Sequence, residues 1–245
     1  MLAKIDVILG STNLDQKMGP AFHGFIMENI DTDYAAYLHV NGDKPYSQYL
    51  YLDRKKKAYV WRISTLTEEA YEKIILKIKK HKYIYIKYKD ITVKIHDVLE
   101  YETTDAEKLI DGIYLNTDKI SKNLKIKFMS PTSFRSKGYY ENYPNAFLIY
   151  NSLIRKMNTF SDKVRVGNEE VAAHLGAQTW MSEYSLRSVN YNVGKGKINS
   201  FIGRVCLNIK ADDEIKKLAL LLVKYGEYSG VGIKTTLGMG GITIE

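Results

Sequence analysis

The chain has 245 residues, 45% of them hydrophobic, and a formal net charge of +8 with its histidines neutral. That supports one large core or two of about 120 residues each. The single cysteine, Cys206, excludes an internal disulfide and a multi-thiolate metal site. The absence of eighteen consecutive apolar residues and of a leader pattern excludes a spanning helix and points to the cytoplasm. Sixteen basic residues stand against thirteen acidic ones up to residue 100, and twenty against fifteen after it. The excess is spread over the fold rather than held in a tail, which favours a polyanionic partner. Twenty tyrosines supply rings able to stack on bases, although most in strands serve packing.

Leu2 to Leu9 alternates around Ile5, Val7 and Leu9 and predicts a strand. Gly10 to Gly19 is rich in turn formers. Pro20 suits the first turn of a helix that buries Phe22, Phe25, Ile26 and Ile30, leaving His23 and Met27 one turn apart on its flank. A second short helix is expected from Asp31 through Leu38 to about His39, with Asn41-Gly42 as its stop. Tyr46 to Leu52 and Lys57 to Ser64 predict a hairpin with a basic tip. Thr65 and Glu68 have capping-box spacing for a helix turning Leu66, Ala70, Ile74 and Ile78 inward. Its outward Lys73, Lys77 and Lys80 read most simply as a solvated face. Tyr83 to Tyr88 and Thr92 to Tyr101 close this half as strands. The order strand, helix, strand, strand, helix, strand is the ferredoxin-like pattern.

Regular patterning lapses between Thr103 and Asn123, which places a domain boundary near residue 105: an N-terminal domain over 1–104 and a C-terminal one over 105–245. Leu124 to Met129 predicts a strand, and Ser130 to Arg135 no regular element. Asn142 to Met157 predicts a helix with Phe147, Tyr150, Ile154 and Met157 on one face and Pro144 in its first turn; a smaller one is expected over Glu169 to Leu175. Leu186 to Val193 and Ile198 to Ile209 predict a long hairpin around Gly194-Lys195-Gly196-Lys197. Lys195 and Lys197 at its tip, with Arg187 and Arg204 on its arms, are placed to reach phosphates; protection of an edge strand by lysine explains the tip equally well. Asp212 caps a helix running to about Tyr225. With the terminal strand, the ferredoxin-like order recurs, giving an α+β chain of two tandem βαββαβ units.

Between that helix and strand lies Ser-Gly-Val-Gly-Ile-Lys-Thr-Thr-Leu-Gly-Met-Gly-Gly, residues 229–241. Gly230, Gly232, Gly238, Gly240 and Gly241 flank one basic residue, Lys234. Glycines let successive backbone N–H groups face one concavity and let a polyanion approach the main chain. A P-loop is excluded because Ile233 separates Gly232 from Lys234 and no helix follows; a dinucleotide loop fails for the same want of a helix.

If the polyanion is RNA, attack of a 2′-hydroxyl on its own phosphate needs a proton acceptor, a proton donor and a cation. Of five histidines, His81 and His96 read as structural or solvated, and His174 has no obvious partner. His39, expected at a helix C-terminus with Lys44 close behind, suits proton transfer or a phosphate contact, although a capping role is the plain alternative.

The glycine loop resembles the C-terminal motif of the RAMP superfamily of CRISPR proteins. Phe22-His-Gly-Phe-Ile-Met27, Tyr37-Leu38-His39 and Lys44-Pro45-Tyr46-Ser47 make the chain most similar to the Cas-six family of repeat-RNA processing endoribonucleases. The resemblance implies two ferredoxin-like domains and cleavage of CRISPR precursor RNA within its repeat, without metal or cofactor, to a 2′,3′-cyclic phosphate and a 5′-hydroxyl. It places catalytic roles on His39 and Lys44. The family's occasional first-helix tyrosine matches Met27 here, and His23, one turn earlier, can take that place. Gly230 to Gly241 with Lys234 would hold the RNA backbone. Partners implied are the repeat RNA and CRISPR effector subunits, with the chain acting as monomer or homodimer. The alternative is a non-catalytic RAMP-type RNA-binding subunit, which has no chemical need of His39 and Lys44. An ordinary RRM protein would carry Gly-Phe-Gly-Phe aromatics that Tyr83-Ile-Tyr-Ile-Lys-Tyr lacks.

Overall fold

The computed structural model describes all residues except 11–13, 41, 102, 116–119 and 195, and the backbone alone of Tyr88. Lys195 and the Asn41 stop signal thus lie outside the described residues. The first half runs β1 (Ala3–Leu9), α1 (Gly19–Asn29), α2 (Thr32–Val40), β2 (Tyr46–Asp53), β3 (Ala58–Thr65), α3 (Glu68–Ala70), a π turn (Tyr71–Ile75), α4 (Leu76–Ile78), β4 (Tyr83–Ile86) and β5 (Ile91–Glu100). Its sheet has the order β2-β3-β1-β5-β4, every pairing antiparallel. The alternation in β1 sends Ile5, Val7 and Leu9 into a core with Phe22, Ile26, Trp61 and Ile74. Each fully buried side chain of this size contributes about 1.5–3 kcal/mol.

The second half continues with α5 (Ala106–Tyr114), β6 (Asn123–Thr132), β7 (Phe134–Ser136), β8 (Tyr139–Glu141), α6 (Ala146–Phe160), α7 (Glu169–Ala177), β9 (Thr179–Val193), β10 (Gly196–Ile209), α8 (Asp213–Ser229) and β11 (Ile242–Ile244). Its sheet reads β11-β6-β10-β9, again antiparallel. Both sheets therefore carry the 4-1-3-2 strand order of the ferredoxin-like fold, the first with β4 added at its edge. No helix among the described residues is long and apolar enough to cross a membrane.

Several local expectations change. The cap of the helical segment at 68 is Thr67, whose side chain accepts from Ala70 N, because Thr65 is consumed as the last residue of β3. The lapse after Thr103 contains α5, capped by Asp105, with Ile113 buried. Ser130 to Thr132 prolong β6, and Phe134 to Ser136 pair with β8 as a small hairpin. Pro144 lies before α6 rather than in it, Asn145 being the cap.

The two sheets meet through the glycine loop. Gln48, fully buried on β2, donates from Nε2 to Gly19 O and Thr236 O, each at 2.8 Å, and accepts from Trp61 Nε1 at 2.8 Å. Ser47 Oγ donates to Tyr228 O at 2.6 Å. A Cβ on Gly238 would lie 2.7 Å from Gly19 Cα, so the loop touches the start of α1 backbone to backbone.

Candidate active site

A cleft of about 490 Å³ opens at this junction. One wall is N-terminal: His23 and Met27 from α1, Leu38 and His39 from α2, and the segment from Gly42 through Lys44 to Tyr46. The other is C-terminal: Arg135 and Tyr140 from the β7–β8 hairpin, Arg155 and Lys156 from α6, and the loop from Gly232 to Leu237. His23, His39, Lys44 and Lys234, which are 211 positions apart along the chain at the extremes, share one cavity.

Each side chain has a local reason for its place. α1 buries Phe22, Phe25 and Ile26, which turns His23 and Met27 to the flank. α2 is held by buried Tyr34 and Leu38, leaving His39 exposed in its last turn. Asp43 receives a bidentate ion pair from Arg155, Nε to Oδ2 at 2.8 Å and Nη2 to Oδ1 at 3.1 Å, which ties the segment carrying Lys44 to α6. Partial burial and the approach of Lys234 lower the Lys44 pKa from its ordinary value, against the pull of Asp43. His23 is pushed down to about 4, first by burial and then by His39 and Lys44, so it is neutral at physiological pH.

The loop is shaped from beneath. Gly230 N donates to Gly226 O, Gly232 N to Ser152 Oγ, Gly240 N to Pro131 O and Gly241 N to Ser130 Oγ. These four amides are spent inside the protein and do not face the cleft as phosphate donors. The sequence reading gave the glycines direct contact with RNA; in the fold all five are buried, Gly232 lines the cleft, and four of their amides hold the loop's course. Gly240, with φ +71°, admits no side chain because a Cβ would run into the Val231 carbonyl. What the loop offers outward is Lys234, exposed and left-handed at φ 55°, followed by the short 3-10 turn Thr235–Leu237.

Lys156 was invisible to sequence reasoning. It is buried on α6, and its Nζ donates to Ser229 O and Gly230 O at 3.1 Å each and to Thr235 Oγ1 at 3.3 Å. Burial, with a smaller push from Arg155, drives its pKa down to about 7. Arg135 and Tyr140, cross-strand partners in a hairpin that the sequence hid, also reach the cleft.

The remaining candidates lie elsewhere. Arg187 and Arg204 line a second groove between the two sheets, with Arg54, Lys55 and Lys127. Lys197 is exposed near the tip of β10, paired with Asn192. His174 of α7 bonds Gln178 just past the end of that helix, and His96 is exposed on β5; neither lines the cleft.

Residues 126–242 match the family described as CRISPR-associated endoribonuclease Cas6. Relatives of that description include one from Streptococcus thermophilus, 29% identical over 230 residues, spanning 94% of this chain and 92% of the relative. Another, from Mycobacterium tuberculosis, is 28% identical over 233 residues, spanning 93% and 72%. Among solved structures, a Cas6 product complex superposes with a TM-score of 0.79 at 24% identity, covering 100% of this chain and 99% of that one. A Thermus thermophilus Cas6 superposes at 0.73 and 20% identity, covering 100% and 98%.

Proposed function

From the similarity of the chain to Cas6 endoribonucleases, we propose that it is a member of that family, an endoribonuclease that cleaves CRISPR precursor RNA within the repeat, without metal. The 2′-hydroxyl attacks the adjacent phosphorus as its proton passes to a base. The P–O5′ bond breaks and O5′ takes up a proton, leaving a 2′,3′-cyclic phosphate and a 5′-hydroxyl. His39, exposed at the end of α2, moves the proton. Lys44 and Lys234, facing each other across the cleft, neutralise the phosphorane charge. His23 adds a third polar group on the N-terminal wall. The glycines give the loop its course, and Arg187, Arg204 and Lys197 bind backbone phosphates farther out. In this reading an N-terminal domain up to about residue 104 carries the catalytic side chains, and the C-terminal domain supplies the loop. Its partners in this reading are the repeat RNA and CRISPR effector subunits, with the chain acting as a monomer or a homodimer.

The observation that carries this reading is the convergence of His23, His39, Lys44 and Lys234 in one cleft between the halves. The test is cleavage of the cognate repeat RNA in EDTA by the wild type and by His39→Ala, with a second substrate that is 2′-deoxy at the scissile nucleotide. Metal-free cutting by the wild type, loss of at least about 100-fold in the variant and binding without cutting of the deoxy substrate are expected. Tight binding with no cutting by the wild type would make the chain a binding subunit.

A further inference from the structure

We infer that Tyr46 donates its phenolic hydrogen to Nδ1 of His23 and fixes the imidazole as the Nε2–H tautomer. His23 then meets a phosphoryl oxygen as a neutral hydrogen-bond donor and neither gives nor takes a proton. This rests on the reading of the cleft as a site of phosphoryl transfer.

The argument is an accounting of hydrogens. Tyr46 is buried, 1% exposed, on β2. Among the described residues its hydroxyl has one partner, His23 Nδ1 at 2.7 Å. The ring planes are nearly parallel, 9° apart, and their centroids lie 6.4 Å apart, so the hydroxyl meets Nδ1 roughly end-on from the ring edge rather than across its face. If Nδ1–H were the donor, the phenolic hydrogen would be left buried without an acceptor, at a cost of about 1–3 kcal/mol. If Tyr46 donates, nothing is stranded. Nδ1 is then an acceptor, and the ring's one hydrogen sits on Nε2, on the far side of the ring from Tyr46.

Protonation of His23 would undo this arrangement, since both ring nitrogens would become donors and Nδ1–H would confront the hydroxyl. Burial and the neighbouring His39 and Lys44 oppose it in the same direction. A neutral Nε2–H suits charge growing on a non-bridging oxygen, because it is oriented before the reaction and does not have to leave. A neutral imidazole is also a very weak acid, which leaves proton movement to His39. Tyr46 touches no reacting atom in this scheme and is a positioning residue.

Long-range ¹H–¹⁵N spectra of the full chain at neutral pH read the tautomer of His23 directly. The wild type is expected to show the Nε2–H pattern, and Tyr46→Phe, which keeps the buried ring, a mixture of tautomers. In single-turnover cleavage at saturating repeat RNA, Tyr46→Phe is expected to slow cutting by about 10-fold with little change in RNA affinity. A glutamine retains a side-chain N–H donor but cannot act as acid or base, so His23→Gln should cut within about 10-fold of wild type and His23→Ala on the order of 100-fold slower. An Nδ1–H or imidazolium spectrum in the wild type overturns the inference, as does a His23→Gln variant as slow as His23→Ala. Should Tyr46→Phe fail to fold, the wild-type spectrum and the glutamine–alanine pair still decide. Should the wild type not cut at all, the proposed function falls, while the spectrum continues to report on the tautomer.

Discussion

Lys156→Met removes a buried amine and leaves a side chain of similar length without polar atoms. In the folded chain the amine meets two carbonyl oxygens, Ser229 O and Gly230 O, and the Thr235 hydroxyl. The charged amine donates to all three; once neutral it keeps two N–H donors for the carbonyls and a lone pair that accepts the hydroxyl hydrogen instead. Burial lowers its pKa to about 7 from 10.5. Between those values the unfolded chain holds a proton that the folded chain has released, so the free energy of unfolding rises with pH across that window. The rise from this group is at most about 1.4 kcal/mol per unit, or about 4 kcal/mol from pH 7 to pH 10. Below pH 7 both states are protonated and the contribution is flat at its least favourable. Methionine abolishes the slope. It also leaves Ser229 O without its amine, whereas Gly230 O keeps Ser229 Oγ at 2.8 Å, a further loss of about 1–3 kcal/mol. Urea unfolding of wild type and variant at about pH 7, 8.5 and 10 should therefore show a stability gap that widens with pH. Parallel stability–pH curves for the two proteins would refute the buried neutral amine.

His23 has the same sign in a lower window: its folded pKa of about 4 lies below the ordinary 6.5, so its contribution is full above pH 6.5 and falls by up to about 3 kcal/mol as pH drops toward 4. His23→Gln should flatten that part of the acid denaturation curve. Asp43→Ala breaks a half-exposed ion pair and should cost less than about 1 kcal/mol of stability, yet slow cleavage by releasing the segment that carries Lys44. The exchange Asp43→Arg with Arg155→Asp should recover part of the rate in single-turnover assays. Gly240→Ala drives a Cβ into the Val231 carbonyl at positive φ and should destabilise by more than about 2 kcal/mol; an unchanged thermal midpoint would contradict the geometry drawn for the loop.

Much of the fold was legible because its signals are local. The alternation in β1, the Asp212 cap of α8 and the apolar faces of α1 and α6 stand in the structure close to their expected bounds. The misses also have local causes. α5 is nine residues long and leans on the C-terminal core through partly buried side chains, so its stripe is short. The β7–β8 hairpin consists of two three-residue strands, below the length at which period-two alternation can be read. Thr65 matched a capping pattern that Thr67 fulfils, because β3 extends further than its composition suggested.

For the site, composition and motif alone determined that histidine and lysine near the N-terminus and a lysine-bearing glycine loop near the C-terminus were the groups to watch. Tertiary structure decided that they share a cleft, that Arg187 lies in a different groove and that four of the loop glycines spend their amides on α8, α6 and β6. Lys156 shows the physical reason. Helical periodicity reports which face of α6 meets its own core, but the loop that covers Lys156 returns from more than seventy residues later. Whether a lysine is solvated or buried, and whether a histidine nitrogen donates or accepts, depends on groups that only the folded chain brings within hydrogen-bonding distance.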